Sequence, residues 1–384
     1  MMENVIETFE SITKSLRAFL PERIRPFSKE ARLSERGVFI TGVRGVGKTV
    51  FALYKMPDNA LYIAADHPIL SGLKLFDVVE RIFKEGYYHV VIDEIHNFMD
   101  WAKDVKVLYD LFPRKSLWLI DSNSALPKAH AADLSRRFPK FKVPLLSFRE
   151  YLNLKYGFDY PVIDPFSLDE KFMLDVLRKV DILPEFNQYL SGGTRPFFLE
   201  GMFREKLFAS IEKSIHFDIP YLVPSIKENH FHMMKAVIRY LLYSPAPTVN
   251  IEKLSREFAI SKPKMYQLLQ AMSEVDLISI VRRERDFSAF SKGAKMFLKD
   301  FSLYFTMNAN KGSGREAFVN YCLSMMGDVF ACKDERICDF VINGMKVEVG
   351  GKSKGKKGSD IVVSFDIELP VKNKIPAWIL AMGW

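Results

Sequence analysis

Cysteine is scarce in this 384-residue chain: Cys322, Cys332 and Cys338 are its only three, all near the C-terminus. Their spacings of ten and six residues match no zinc-ligand pattern, and an odd count argues against a disulfide framework. The expectation is a reduced, cytoplasmic protein. No apolar run approaches the ~18 residues that a membrane span needs, so no membrane partner is expected. The first ten residues, MMENVIETFE, carry three glutamates and no basic residue, which is against a secretory signal. There is no internal repeat. Nor does the chain combine low hydrophobicity with high charge: 48% hydrophobic and 27% charged residues are ordinary for a folded globular protein.

The charge is not strongly of one sign. Against 47 Asp and Glu stand 55 Lys and Arg, a formal net charge of +8. Between Lys227 and Asp300 there are 13 basic and 8 acidic residues, so five of the eight excess charges lie in that stretch. A basic middle section points to phosphate-rich partners, and a well-solvated face accounts for the same count.

What is present is a regular alternation. Strand-like apolar runs stand at Gly37–Thr41, Leu61–Ala64, His89–Ile92 and Leu117–Ile120, with helix-length segments between them. That order implies a mostly parallel sheet covered on both faces. Phe141–Leu146 offers a further strand, which Pro144 confines to an edge. Helices broken by loops follow to about Phe217. His232–Tyr243 has helical apolar spacing, and two short helices then lie in IEKLSREFAI and SKPKMYQLLQAM. In the second, Met265, Leu268, Leu269 and Met272 form one stripe at i, i+3, i+4 and i+7, with Ser261 as N-cap and Pro263 in the first turn. LISIV, RRERD and AKMFL suggest a two-stranded wing, so the pattern reads as a winged helix-turn-helix. NANKGSG at 308–314 reads as a linker. Beyond it, Asn343-Gly344 marks a hairpin in a final α+β segment.

Two motifs carry chemistry. GVRGVGKT, comprising Gly42, Val43, Arg44, Gly45, Val46, Gly47, Lys48 and Thr49, fits the Walker A pattern between a strand and a helix. Its glycines let backbone N–H groups turn inward on phosphate oxygens, and the helix N-terminus adds its positive dipole end. Lys48 would reach the β- and γ-phosphates, and Thr49 would ligate Mg²⁺. About 45 residues on, a buried run ends in Asp93 and Glu94, at the strand end that faces the ligand crevice of an α/β sheet. Asp93 would hold the Mg²⁺, and Glu94 would act on the water that attacks the γ-phosphate. Ser122 and Asn123, ending the next strand, are candidates for contact with γ-phosphate or water. Arg136 and Arg137 are candidates for stabilising transition-state charge, and Arg195 is a third cation that could read nucleotide state.

With these residues in place the chain resembles the prokaryotic AAA+-type ATPases of the archaeal ATPase kind. The likeness runs from GVRGVGKT through DEIH at 93–96 with Trp101, DLSRR at 133–137 and LSFREYL at 146–152 to Gly192, Gly193 and Pro196. It continues through the winged helix to a C-terminal part similar to restriction-endonuclease-like folds. The resemblance implies ATP as nucleotide, Mg²⁺ as cofactor, and nucleotide state coupled to domain movement. It also implies a DNA partner, self-association or a protein partner. A slow nucleotide-gated switch and an ATP-dependent nuclease are the alternatives. The expected division is a P-loop ATPase core over 1–150, a helical lid over 151–226, a winged helix-turn-helix over 227–307 and a nuclease-like domain over 314–384.

Two departures stand out. Where the family commonly carries T-G-S-S, this chain reads Ile120-Asp121-Ser122-Asn123, and Asp121 near a γ-phosphate would repel it unless turned away. Nucleases of the C-terminal fold need an Asp and then Glu-x-Lys to bind metal and polarise the scissile phosphate. Asp339 and Glu348 fit the carboxylates and Glu316 a third acid, but Gly350 holds the lysine position and Lys352 follows two residues later. A structural remnant is the expectation. For DNA, Lys262 and Lys264 lie with Tyr266 and Gln267 on the outward face of the candidate recognition helix, and Arg282, Arg283 and Arg285 on the wing. Lys352, Lys354, Lys356 and Lys357 form a further basic loop.

Overall fold

The computed structural model describes the chain except residues 1, 122–130, 168, 224, 246–247, 287, 289, 292 and 351–357. Ser122, Asn123 and the Lys352–Lys357 basic loop therefore lie outside the described residues. The chain divides into two compact units, Met1–Pro144 and Leu145–Trp384.

The first unit alternates helix and strand: α1 (Met2–Ala18), α2 (Pro26–Glu30), β1 (Gly37–Thr41), α3 (Lys48–Lys55), β2 (Ala60–Ala64), α4 (Leu75–Lys84), β3 (His89–Asp93), α5 (Trp101–Leu111), β4 (Ser116–Ile120), α6 (Ala131–Arg137) and β5 (Lys140–Lys142). The strands form one sheet in the order β2-β3-β4-β1-β5, and every neighbouring pair is parallel. In β1, β3 and β4 every residue is buried, as a sheet covered on both faces requires. α4 buries Leu75, Val78, Val79, Ile82 and Phe83, a helical stripe turned to that core. β5 is shorter than the run Phe141–Leu146. It pairs with β1 alone and stops at Lys142, since the proline two residues on has no N–H for the ladder.

The second unit begins with helices α7 (Phe148–Tyr156), α8 (Glu170–Lys179), α9 (Ile182–Gly192), α10 (Phe203–Lys213) and α11 (Ile219–Leu222). A reciprocal capping box between Ser147 and Glu150 starts α7. Next come α12 (Glu228–Tyr243), α13 (Ile251–Glu257) and α14 (Lys262–Glu274), followed by the antiparallel pair β6 (Ile278–Val281) and β7 (Lys295–Leu298). Met265, Leu268, Leu269 and Met272 are all fully buried. Each such side chain contributes roughly 1.5–3 kcal/mol through the area it removes from water.

The unit closes with α15 (Ser302–Thr306), α16 (Lys311–Ser324), β8 (Val329–Ala331), β9 (Phe340–Ile342), β10 (Met345–Gly350), β11 (Ile361–Ser364), β12 (Lys374–Pro376) and α17 (Ala377–Leu380). Its five strands run in the order β12-β11-β10-β9-β8, antiparallel from β8 to β10 and parallel from β10 to β12. Asn343 and Gly344, at φ 49° and 80°, make the β9–β10 hairpin turn.

Two expectations are corrected here. The stretch 308–314 is no linker. α16 starts inside it, capped by Asn310, whose side chain accepts from the Ser313 N–H. Gly314 is buried because a Cβ there would stand 2.8 Å from Tyr304 Cβ, so the glycine serves close packing rather than flexibility. Cys332 and Cys338 are joined in a disulfide, and only Cys322 is a free, buried thiol. With two of its three cysteines bridged, the chain's thiols no longer point to a reducing compartment. Among the described residues no helix is long and apolar enough to cross a membrane.

Candidate nucleotide-binding site

The site of the first unit follows from its strand order. The loop after β1 carries the glycine-rich motif, the acidic pair ends β3, and β4 lies between those two strands. Three strands thus deliver the loop, Asp121 and the Asp93-Glu94 pair side by side at their C-terminal ends.

Gly45 and Gly47 take φ 81° and 90°, left-handed values that cost other residues strain, and Gly47 leads directly into α3. Lys48 is 8% exposed. Its ammonium donates to the carbonyls of Gly42 (2.8 Å) and Val43 (3.4 Å), so it curls back over the loop. Burial pulls its pKa down, opposed by Asp93, Glu94 and Asp121. Thr49 Oγ1 donates to Asp93 Oδ2 at 2.5 Å. The two residues expected to share a metal therefore already share a hydrogen bond, which fits a Mg²⁺ site of one hydroxyl and one carboxylate. Burial raises the Asp93 pKa, against the hydrogen bonds from Thr49 and Tyr62.

Glu94 stands in a left-handed turn at φ 51°. Its Oε1 accepts from Arg44 Nη1 at 3.2 Å, and its Oε2 lies 3.5 Å from His96 Nδ1. His96 Nδ1 is also 3.1 Å from Asp121 Oδ2. Burial raises the Glu94 pKa. Arg44 opposes the shift, and Asp121 and Asp93 add to it.

The two arginine candidates of this unit lie on α6. Arg137 is held by Asp110 through two contacts of 2.9 and 2.8 Å, and Arg136 is exposed. Two supporting residues, Tyr62 and Arg25, carried no motif signal, and a third, His96, carried little. Tyr62 on β2 donates to Asp93 Oδ2 at 2.9 Å. The register of β2 against β3, with Ala64 beside Asp93, brings its hydroxyl there. Arg25 donates to the Val46 carbonyl of the loop (2.6 Å) and to the Pro144 carbonyl (3.1 Å). His96, next but one to Glu94, was visible only as part of DEIH.

The stretch 34–152 matches the AAA domain family. The match to the AAA domain supports a P-loop ATPase of that kind over the loop, the acidic pair and all five strands of the sheet. No curated protein matches the chain. Among solved structures it is similar to the Thermotoga maritima RuvB Holliday junction branch migration motor, at 14% identity and a TM-score of 0.30, over 76% of this chain and 93% of that one. A variant of the same motor gives 13% identity and 0.29, over 78% and 93%. At those TM-scores the likeness carries no argument.

In the second unit, Arg195 is 3% exposed and ion-paired with Asp300. Of the expected nuclease acids, Glu316 and Asp339 meet on one lysine. Lys295 on β7 donates to Glu316 Oε2 on α16 (2.7 Å) and to Asp339 Oδ1 (3.0 Å), while Asp339 Oδ2 accepts from the Val349 N–H (2.8 Å). Glu348 is buried in β10. Lys295 was not anticipated, because it lies far from these acids in sequence. Of the basic residues considered for DNA, Lys262 is ion-paired with Glu252. Lys264 donates to Gln267 Oε1 at 3.0 Å. Arg282 donates to the Asp286 carbonyl at 2.9 Å. Arg283 is half-buried, and Arg285 is exposed.

Proposed function

We propose that the chain binds ATP with Mg²⁺ and hydrolyses it in the first unit. The observation that supports this most is the bond from Thr49, the first threonine after the loop lysine, to Asp93, with Glu94 beside it. Gly42 to Lys48 would wrap the phosphates, and Thr49 and Asp93 would hold the cation. Bound there, Mg²⁺ would neutralise charge on the β- and γ-oxygens. Glu94 is the group placed to orient and deprotonate the attacking water. Arg136, exposed at the end of α6, is the arginine we assign to transition-state charge, and nucleotide state is coupled to domain movement.

The test is a pair of variants. Lys48→Ala should abolish nucleotide binding, and Glu94→Gln should leave binding within a few-fold while lowering turnover by about 10²–10⁴, the usual worth of a general base. Equal turnover by wild type and Glu94→Gln would refute the assignment.

A DNA-linked output rests on the three helices and two-stranded sheet of 228–298, read as a winged helix. Turnover measured with and without duplex DNA at two salt concentrations tests it, since phosphate contacts weaken steeply with salt. No DNA effect at low salt removes the reading. Cleavage is disfavoured, because Lys295 already serves as cation to Glu316 and Asp339. Nicking by wild type above an Asp339→Ala control would reverse that judgement.

A further inference from the structure

Asp121 is where the chain departs from the family pattern, and β4 sets it between the phosphate-binding loop and the acidic pair. It is 2% exposed. Three carboxylates, Asp93, Glu94 and Asp121, therefore crowd one crevice, where close like charges repel one another. His96 stands between two of them. With Nδ1 as donor, its N–H goes to Asp121 Oδ2 at 3.1 Å, and the positive edge of the ring faces Glu94 Oε2 at 3.5 Å without a hydrogen bond to it. Arg44 holds the other Glu94 oxygen. That arginine belongs to the loop that would wrap phosphates, so a bound triphosphate competes for it. His96 is tied to a buried acid and lies outside that loop.

We propose that Asp121 and His96 form a positioning pair for Glu94, in which Asp121 fixes the imidazole by a hydrogen bond and the positive edge of the imidazole, facing Glu94 Oε2, fixes where the Glu94 carboxylate meets the attacking water. The inference rests on the ATPase reading above. It turns a charge that should hinder the site into an anchor for its base. It also makes His96 obligatory: without the imidazole, Asp121 would face Glu94 directly and repel it.

The experiment measures kcat, KM and the nucleotide dissociation constant of wild type, His96→Ala, His96→Asn, Asp121→Ser and the His96→Ala/Asp121→Ser double variant. His96→Ala should lower kcat about a hundredfold, at the lower end of what a general base supplies, with nucleotide affinity changed less than about threefold. His96→Asn, whose amide N–H reaches close to the Nδ1 position, should recover roughly tenfold of that loss. The double variant should turn over faster than His96→Ala alone, because the unopposed carboxylate has gone. Three results would each overturn the pair: multiplicative losses in the double variant, as independent sites give; an asparagine no better than alanine; or affinity falling in step with kcat. Wild type without turnover would overturn both this pair and the ATPase reading, whereas turnover with an additive cycle overturns the pair alone.

Discussion

Lys295→Met probes what holds β7 to α16 and to the start of β9. Lys295 is 2% exposed and its ammonium meets Glu316 and Asp339 at 2.7 and 3.0 Å. Burial alone would pull its pKa down, but the two carboxylates outweigh that and hold it raised, so the group is charged in the fold. Methionine preserves the aliphatic stem and removes the charge. A buried carboxylate, Asp339, and a half-buried one, Glu316, are then left facing each other, and breaking a buried pair in this way costs about 3–5 kcal/mol. In a unit the size of Leu145–Trp384 each kcal/mol lowers Tm by about 2–4 °C, so the expected fall is roughly 6–20 °C. Calorimetry on the full chain reads it as movement of one transition. The triple variant Lys295→Met/Glu316→Gln/Asp339→Asn should recover most of the loss, because the cost is uncompensated charge rather than missing volume. A fall under about 2 °C for the single variant, or a triple variant less stable than the single, would refute the reasoning.

Tyr62→Phe removes the hydroxyl that donates to Asp93 Oδ2 at 2.9 Å. Outer partners of metal ligands typically carry 10–100-fold in metal affinity, so half-maximal turnover should need about tenfold more Mg²⁺, and an unchanged Mg²⁺ titration would show Tyr62 to be only packing. His89, buried edge-on against Trp118 at 4.4 Å, has its pKa pushed down to about 4 by burial. It stays neutral in the fold while the unfolded chain protonates near 6.5, so its stability contribution is complete above about 6.5 and is lost as pH falls toward 4, on the order of 3 kcal/mol in all. His89→Leu should flatten Tm against pH across that window; a curve parallel to wild type would exclude His89 as the source.

The core strands were legible because they are short and buried on every residue. A run such as GVFIT or HVVID carries polar residues only at its ends, and Gly37–Thr41 matches the observed β1 from end to end. The stripe of α14 was legible for a related reason: four buried residues at helical spacing need no knowledge of their partner. Residues 308–314 misled, since a stretch with two glycines looks the same whether the glycines loosen a chain or let it pack. The deciding contact, Gly314 against Tyr304, is tertiary. The Cys332–Cys338 bridge and the meeting of Lys295 on β7 with Glu316 on α16 and Asp339 before β9 are likewise properties of the fold.

The candidate site divides along the same line. Gly42 to Thr49 is a local device: loop, lysine and threonine act within one turn of chain, and spacing alone identifies them. The Asp93-Glu94 pair is local as well. The place of Asp121 is not, because it depends on β4 lying between β1 and β3, an order no single segment encodes. Read alone, Asp121 is a misplaced charge beside a phosphate site. Placed by the sheet, it is a buried acceptor with a histidine on it, and that histidine stands 3.5 Å from the proposed base. A hindrance and its remedy thus arrive on different strands, β4 and the turn after β3. A chain in which Asp121 became serine would therefore lose the need for His96 as a screen while losing its anchor, and this is why the two positions should be altered together as well as singly.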